Sequence, residues 1–249
     1  MRDLQVYVHA HRPFPFQPSN WLKLVSNACD DVPGAEKLAD RMPGVPLQSW
    51  NSFLALADAD AENVGLLSYR RYPLFTAQHR CVHYKIHMDP TPETMRYLAS
   101  DEQAAAALAL LDSHDVIQFR PYILNMNVRE QFACYSPPAL WDLMLEELEG
   151  MGLGESLGYF EANNAHVWNA LLVAKRGVVA ECAEFVAELC RRLQDREAYR
   201  RIATEKFVSP NGVRHNMIEV APEYAIPLWV FHKRLRSAYV PLVALDKNI

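Results

Sequence analysis

The strongest constraint on this chain is an alternation. Four short apolar runs rich in β-branched and aromatic residues are separated by longer segments with helical spacing. The runs are LQVYVHA (Leu4 to Ala10), NVGLLSY (Asn63 to Tyr69), HDVIQF (His114 to Phe119) and VWNALLVAK (Val167 to Lys175). Each is largely apolar along its length rather than at every second position, as expected of strands covered on both faces. Among the segments between them, SWNSFLALADA (Ser49 to Ala59) opens on a candidate Ser cap. TPETMRYLASDEQAAAALALLDS carries Thr91 as cap and Pro92 at the first helical position. SPPALWDLMLEELEG begins with Ser-Pro and stops at Gly150, and RGVVAECAEFVAELCRRLQDR is amphipathic with a basic end suited to the helix dipole. Strands alternating with helices predict an α/β fold, with a mostly parallel central sheet covered by helices on both faces. A chain of 249 residues, 50% hydrophobic, can bury one such core, and it reads as a single domain over 1–249.

The remaining stretches are less regular. Residues 20–47 are mixed, with turns at Pro33-Gly34 and Pro43-Gly44. Near the end, EYAIPLWVFHKRLR predicts a helix that Pro227 kinks or starts late, followed by a short strand, AYVPLVAL.

Composition excludes several classes. A formal charge of −5 leaves no broad basic surface for nucleic acid. Cys29, Cys81, Cys134, Cys182 and Cys190 are an odd set without a CxxC pair, which fits reduced thiols rather than a disulfide framework or a zinc site. The N-terminal apolar run is too short for a signal peptide, and no run approaches about 18 apolar residues. These features predict a soluble cytoplasmic protein, with at most peripheral membrane contact through the basic HKRLR segment (His232 to Arg236).

In an open α/β sheet, ligands bind outside the carboxyl ends of the strands. Three clusters fall near strand ends. His9, His11 and Arg12 end the first strand, and alternation points both histidines to the same side. An HxH in this place also suits a metal-dependent hydrolase, provided later residues such as His79, His83, His87, His114 or His166 supply further ligands. Tyr69-Arg70-Arg71-Tyr72 ends the second strand. Two adjacent guanidiniums repel each other unless they stay in solvent, pair with Asp58, Asp60 or Glu62, or share an anion such as a diphosphate. Asn163, Asn164 and His166 precede the fourth strand, and amides with an imidazole suit hydroxyl-rich ligands, although Asn is also a turn former.

Two motifs fail their context test. Asp58-Ala59-Asp60 spells DxD but ends a helix instead of following a strand, so it reads as helix-end carboxylates. GLGESLG (Gly152 to Gly158) follows a helix, whereas a phosphate loop follows a strand. The GxSxG and HExxH signatures are absent from the sequence.

Taken in order, the clusters resemble a bacterial family of capsular and exopolysaccharide-synthesis glycosyltransferases with a GT-A-like nucleotide-diphospho-sugar transferase fold. VYVHAHRPFPFQP resembles that family's opening strand and its Thr-His-Lys-Pro-like end. WNSFLALADADAE running into NVGLLSYRRYPLF resembles its helix and Tyr-Arg-Arg-Tyr strand, the most specific mark. HDVIQFRPYIL, VWNALLVAKRGVVAECAEFVAELCRRL and PEYAIPLWVF resemble later segments, the last through the spacing of Glu223 to Trp229. The sequence departs from the pattern at Ser68, where the family has His, at Trp50-Asn51-Ser52 for Glu-Leu-Thr, and at Glu223-Tyr224 for Glu-Arg.

The resemblance implies a transferase for a nucleoside-diphosphate sugar, most readily a UDP-sugar, with a glycan, lipid-linked or small-molecule hydroxyl acceptor. It places His9, His11 and Arg12 near the nucleotide, Tyr69, Arg70 and Arg71 on the diphosphate, and Asn163, Asn164 and His166 on sugar hydroxyls. Glu223 becomes general base or acceptor-positioning carboxylate. No metal ligand is assigned, magnesium or manganese being the ions such a reaction would otherwise use. Two alternatives stay open: the metal-dependent hydrolase on His9 and His11, and a non-catalytic sugar-nucleotide-binding module.

Overall fold

The computed structural model describes residues 3–45, 47–77, 84–167, 172–204, 206–208 and 214–245. His79, His83, Cys81 and the stretch 168–171 of the fourth expected strand lie outside them.

The first half of the central sheet is laid down by β1 (Leu4–His9), β2 (Leu22–Asn27), β3 (Glu36–Leu38) and β4 (Asn63–Ser68). β1 pairs in parallel with β2 and with β4, bringing His9 opposite Val25 on one side and Ser68 on the other. β3 extends the parallel edge beyond β2. The short β5 (Arg71–Pro73) and β6 (Lys85–Met88) follow, then β7 (Val116–Phe119), a small hairpin of β8 (Tyr122–Ile123) with β9 (Ala165–His166), and β10 (Val173–Lys175). A second two-stranded ribbon joins β11 (Lys206–Val208) to β12 (Arg214–Asn216), and β13 (Ser237–Val240) and β14 (Leu242–Leu245) close the described chain. Along the main path the order is β13-β7-β10-β4-β1-β2-β3.

The expected α/β fold with a mostly parallel sheet is present, with two departures: β10 runs antiparallel to both β4 and β7, and the short β5 runs antiparallel to β4 and β14. An apolar run reads the same in either direction, so pattern could not reveal this. Two further strands, β2 and β3, came from the stretch read as mixed. The expected single strand AYVPLVAL is two, broken at Pro241, where proline cannot donate to a ladder.

Helices cover both faces because side chains alternate. Tyr7, Val64 and Leu66 point into one cluster with α1 (Ser49–Ala55), α4 (Val128–Ala133), α5 (Pro138–Leu148), α7 (Arg176–Asp195), α8 (Glu197–Thr204) and α9 (Met217–His232). Val6, Val8, Leu67 and Ile117 point into the other, with α2 (Pro92–Leu98) and α3 (Asp101–Leu111). The short α6 (Tyr159–Ala162) follows α5. Thr91 caps α2 as expected, its hydroxyl accepting from the Thr94 N–H at 3.1 Å. In α7 the buried positions Val179, Cys182, Val186, Leu189, Cys190 and Leu193 recur every three or four residues, as an amphipathic stripe requires.

Pro227 neither delays nor ends α9. The helix runs through both Pro222 and Pro227, each of which removes one i→i−4 hydrogen bond. Burial of Val220, Ala221, Tyr224, Ala225, Ile226, Leu228, Trp229 and Val230 holds the helix together across them. Among the described residues, no helix is long and apolar enough to cross a membrane.

Candidate functional site

The site starts from two parallel strands that end side by side. The Tyr69 N–H donates to the His9 carbonyl at 3.0 Å, so the chain leaving β1 and the chain leaving β4 stay joined one residue past the paired strands. Tyr69 is 1% exposed and ties the cluster together. Its hydroxyl accepts from Arg12 Nε at 2.7 Å, His11 meets its ring edge-on at 5.1 Å, and the Arg70 guanidinium lies 5.1 Å from its ring centroid. A tyrosine between cations is therefore a packing and anchoring residue that spaces the arginines.

Next to this cluster is a cavity of about 780 Å³. His9, His11, Tyr69, Arg70 and Arg71 line it from the strand ends, and Glu219 and Glu223 line it from α9. Arg71 reaches solvent through the cavity yet is crowded by protein elsewhere. Burial pulls its pKa below the usual guanidinium value, Glu223 and Glu219 oppose that, and Arg70 reinforces it. The two arginines thus share one cavity with two carboxylates. Asp58 pairs with Arg41 at 2.5 Å, at the end of a short 3-10 turn after α1. GLGESLG likewise falls in the turns that follow α5, where Gly152 adopts φ 87°.

Both histidines at this end of the sheet are neutral near pH 7. His9 is 5% exposed, and its Nδ1 lies 2.8 Å from the Ser52 hydroxyl of α1. Burial pushes its pKa down to about 4, with Asp30 opposing and His11 adding to the drop. His11 is lowered as well, by burial first and then by Arg12. Each therefore offers one N–H donor and one lone pair, with no fixed charge.

Several lining groups had no sequence signal. The N-cap residue of α1, Gln48, makes no side-chain capping bond and sits at φ 50°, a conformation unusual outside glycine. The expected cap, Ser49, is instead the first helical residue. Its N–H and hydroxyl both donate to Glu219 Oε1, at 3.3 and 2.8 Å, and Trp50 Nε1 donates to the Glu219 carbonyl at 3.3 Å. A carboxylate from α9 thus does the capping, favourably placed for the helix dipole. At the β2 end, Asn51 is held by three bonds, to Asn27, to the Ala39 carbonyl and from the Arg41 N–H, and Asp30 accepts from the Asn27 N–H. Arginines at one end and amides with carboxylates at the other suit a ligand that carries both anionic groups and hydroxyl donors.

Not every expected residue joins this cavity. Arg12 is outside the lining and acts through the Tyr69 hydroxyl. Asn163, Asn164 and His166 lie at the β8–β9 hairpin, outside this lining. Asn163 accepts from the Ala165 N–H, Asn164 donates to the Leu124 carbonyl, and His166 is fully buried, stacked on Tyr224 at 4.3 Å. Burial pushes the His166 pKa down to about 3. Local hairpin bonds use these groups, so proximity to a strand in sequence did not place them at the first cavity. Among the described residues, no group of three or more His, Cys, Asp or Glu is placed to hold a metal ion.

The sequence matches no family model and no curated protein sequence. The fold, however, superposes on a solved structure described as the apo form of WbbM, a bifunctional glycosyltransferase. The TM-score is 0.79 over 98% of this chain, at 10% sequence identity. The fold is GT-A-like. Only 46% of the WbbM chain is covered, so the present chain spans about half the length of that relative.

Proposed function

We propose that this chain is a glycosyltransferase that binds a nucleoside-diphosphate sugar, most readily a UDP-sugar, in the cavity beside Tyr69. The observation that carries the reading is the convergence of Arg70 and Arg71 with Glu219 and Glu223 at the carboxyl ends of β1 and β4. The two guanidiniums hold the diphosphate through directed hydrogen bonds and offset the charge that grows on it as the bond to the sugar breaks. Glu223, charge-coupled to Arg71, accepts the proton from the acceptor hydroxyl or positions that hydroxyl. Neutral His9 and His11 border the nucleotide without adding charge. The GT-A-like fold supports the same reading. No step is assigned to a magnesium or manganese ion.

Calorimetry with UDP and other nucleoside diphosphates tests donor binding. Replacing both Arg70→Ala and Arg71→Ala is expected to weaken binding at least about 100-fold, since each charge-assisted contact contributes about 1.5–3 kcal/mol. Unchanged affinity would sink the assignment. Glu223→Gln should keep nucleotide affinity while abolishing sugar release from the donor, and retained turnover would remove its role as base.

A further inference from the structure

A second cavity, of about 480 Å³, shares no lining residue with the first. It lies where β7, β13, α6 and the second half of α9 meet, and its wall mixes aromatic faces with amides and hydroxyls. Phe231 and Tyr239 are 53% and 39% exposed, and Tyr159 packs against Phe231 with ring centroids 5.0 Å apart. Between these rings the polar groups are only partly used. Gln118 is 2% exposed, its Oε1 accepts from the Ser237 hydroxyl at 3.2 Å, and its Nε2 has no partner among the described residues. Asn163 Oδ1 accepts from the Ala165 N–H, and the Asn163 side chain shares a hydrogen bond with the Tyr159 hydroxyl.

A buried amide that leaves its donors unmade is disfavoured unless something else supplies the acceptor. Aromatic faces beside a buried amide with unmade donors, and beside amide and hydroxyl groups that retain some bonding capacity, match a pyranose ring, whose C–H face is apolar and whose edge is a row of hydroxyls able to donate and accept. We infer that this second cavity binds a saccharide unit, with Tyr159, Phe231 and Tyr239 against the ring and Gln118, Asn163 and Ser237 toward its hydroxyls. The inference does not depend on the first cavity holding a nucleotide.

The test is ligand-observed NMR and calorimetry on the full chain, with methyl glycosides of glucose, galactose, mannose and N-acetylglucosamine and their short oligomers. At least one is expected to bind saturably. Gln118→Met, near in volume but without the amide, should weaken that binding about tenfold, the effect of one lost buried hydrogen bond. Tyr239→Ala, at a surface position that leaves the core intact, should weaken it to a similar degree. The paired Arg70→Ala and Arg71→Ala variant should bind the saccharide as the parent does, even where its nucleotide affinity is gone. Three results would each overturn the inference: no saturable binding by any member of the panel, equal binding by the Gln118→Met and Tyr239→Ala variants, or loss of binding in the arginine variant.

Discussion

Gly65 sits at the centre of β4, between β1 and β10, directly opposite Val173. A methyl group added there would lie 2.6 Å from Val173 Cγ2, 3.0 Å from the Leu172 carbonyl oxygen and 3.1 Å from Val173 Cα. The first contact is far inside van der Waals distance, and the other two are to backbone that paired strands hold in place. Overpacking of this kind costs about 1–3 kcal/mol, and two immovable backbone neighbours place Gly65→Ala at the upper end. The loss of glycine's freedom in the unfolded chain returns about 0.4–1 kcal/mol. The net expectation is destabilisation of about 2–2.6 kcal/mol, or a fall in Tm of roughly 4–10 °C for a chain of this size. Urea and thermal unfolding of Gly65→Ala, Val173→Ala and the double variant measure it. Because Val173→Ala removes the worst contact, the double variant should be more stable than the sum of the singles by about 1 kcal/mol. A Gly65→Ala protein within 0.5 kcal/mol of the parent, a margin typical of neutral surface changes, would refute the close approach of β10 to β4.

Two further outcomes are expected. His9 and His166 titrate near 4 and 3 in the fold against an ordinary 6.5, so the unfolded chain binds more protons between those values. Stability is therefore full above about pH 6.5 and drains as pH falls toward 4, by up to about 3 kcal/mol for His9. Urea midpoints between pH 7.5 and 4.5 should fall less steeply in His9→Gln, and parallel curves would show that His9 is not held neutral. Glu219→Ala removes both bonds that cap α1 from across the cavity. It should cost about 1–2 kcal/mol, like loss of a strong N-cap, whereas Ser49→Ala should cost less because the backbone N–H still reaches the carboxylate.

What could be read in advance followed the range of the interaction. Strand ends are local features, so the meeting of His9 and His11 with Tyr69, Arg70 and Arg71 was legible from two apolar runs ending in polar residues. Thr91 and Pro92 encode their helix start within four residues, and that start formed as read. Glu219 was invisible because its partner Ser49 is distant in sequence, and because Pro222 hid the first turns of the helix, which set Glu219 and Glu223 one turn apart. Asn163, Asn164 and His166 stand outside the lining of the first cavity for the opposite reason. Their residue types suit a ligand, but the nearby hairpin and the Tyr224 ring claim them first. The direction of β10 and the short strands β2 and β3 leave too little pattern to distinguish from a loop or from the reversed strand.

The turn that presents the arginines is built from segments far apart in the sequence. β5 begins at Arg71 and pairs with β14 through Arg71–Ala244, Tyr72–Val243 and Pro73–Leu242, and the Leu245 N–H donates to the Arg70 carbonyl. Such a contact closes one of the longest loops the chain can make, so it carries a large entropic cost and is satisfied late in folding. The parallel core of β1, β2 and β4 can form from the first third of the chain, but the arginine turn cannot acquire its final backbone partners until residue 245 has emerged and docked. A chain lacking the β14 segment would thus own a sheet without a finished ligand edge, and the cavity's binding capacity would appear only once residues 242–245 are in place.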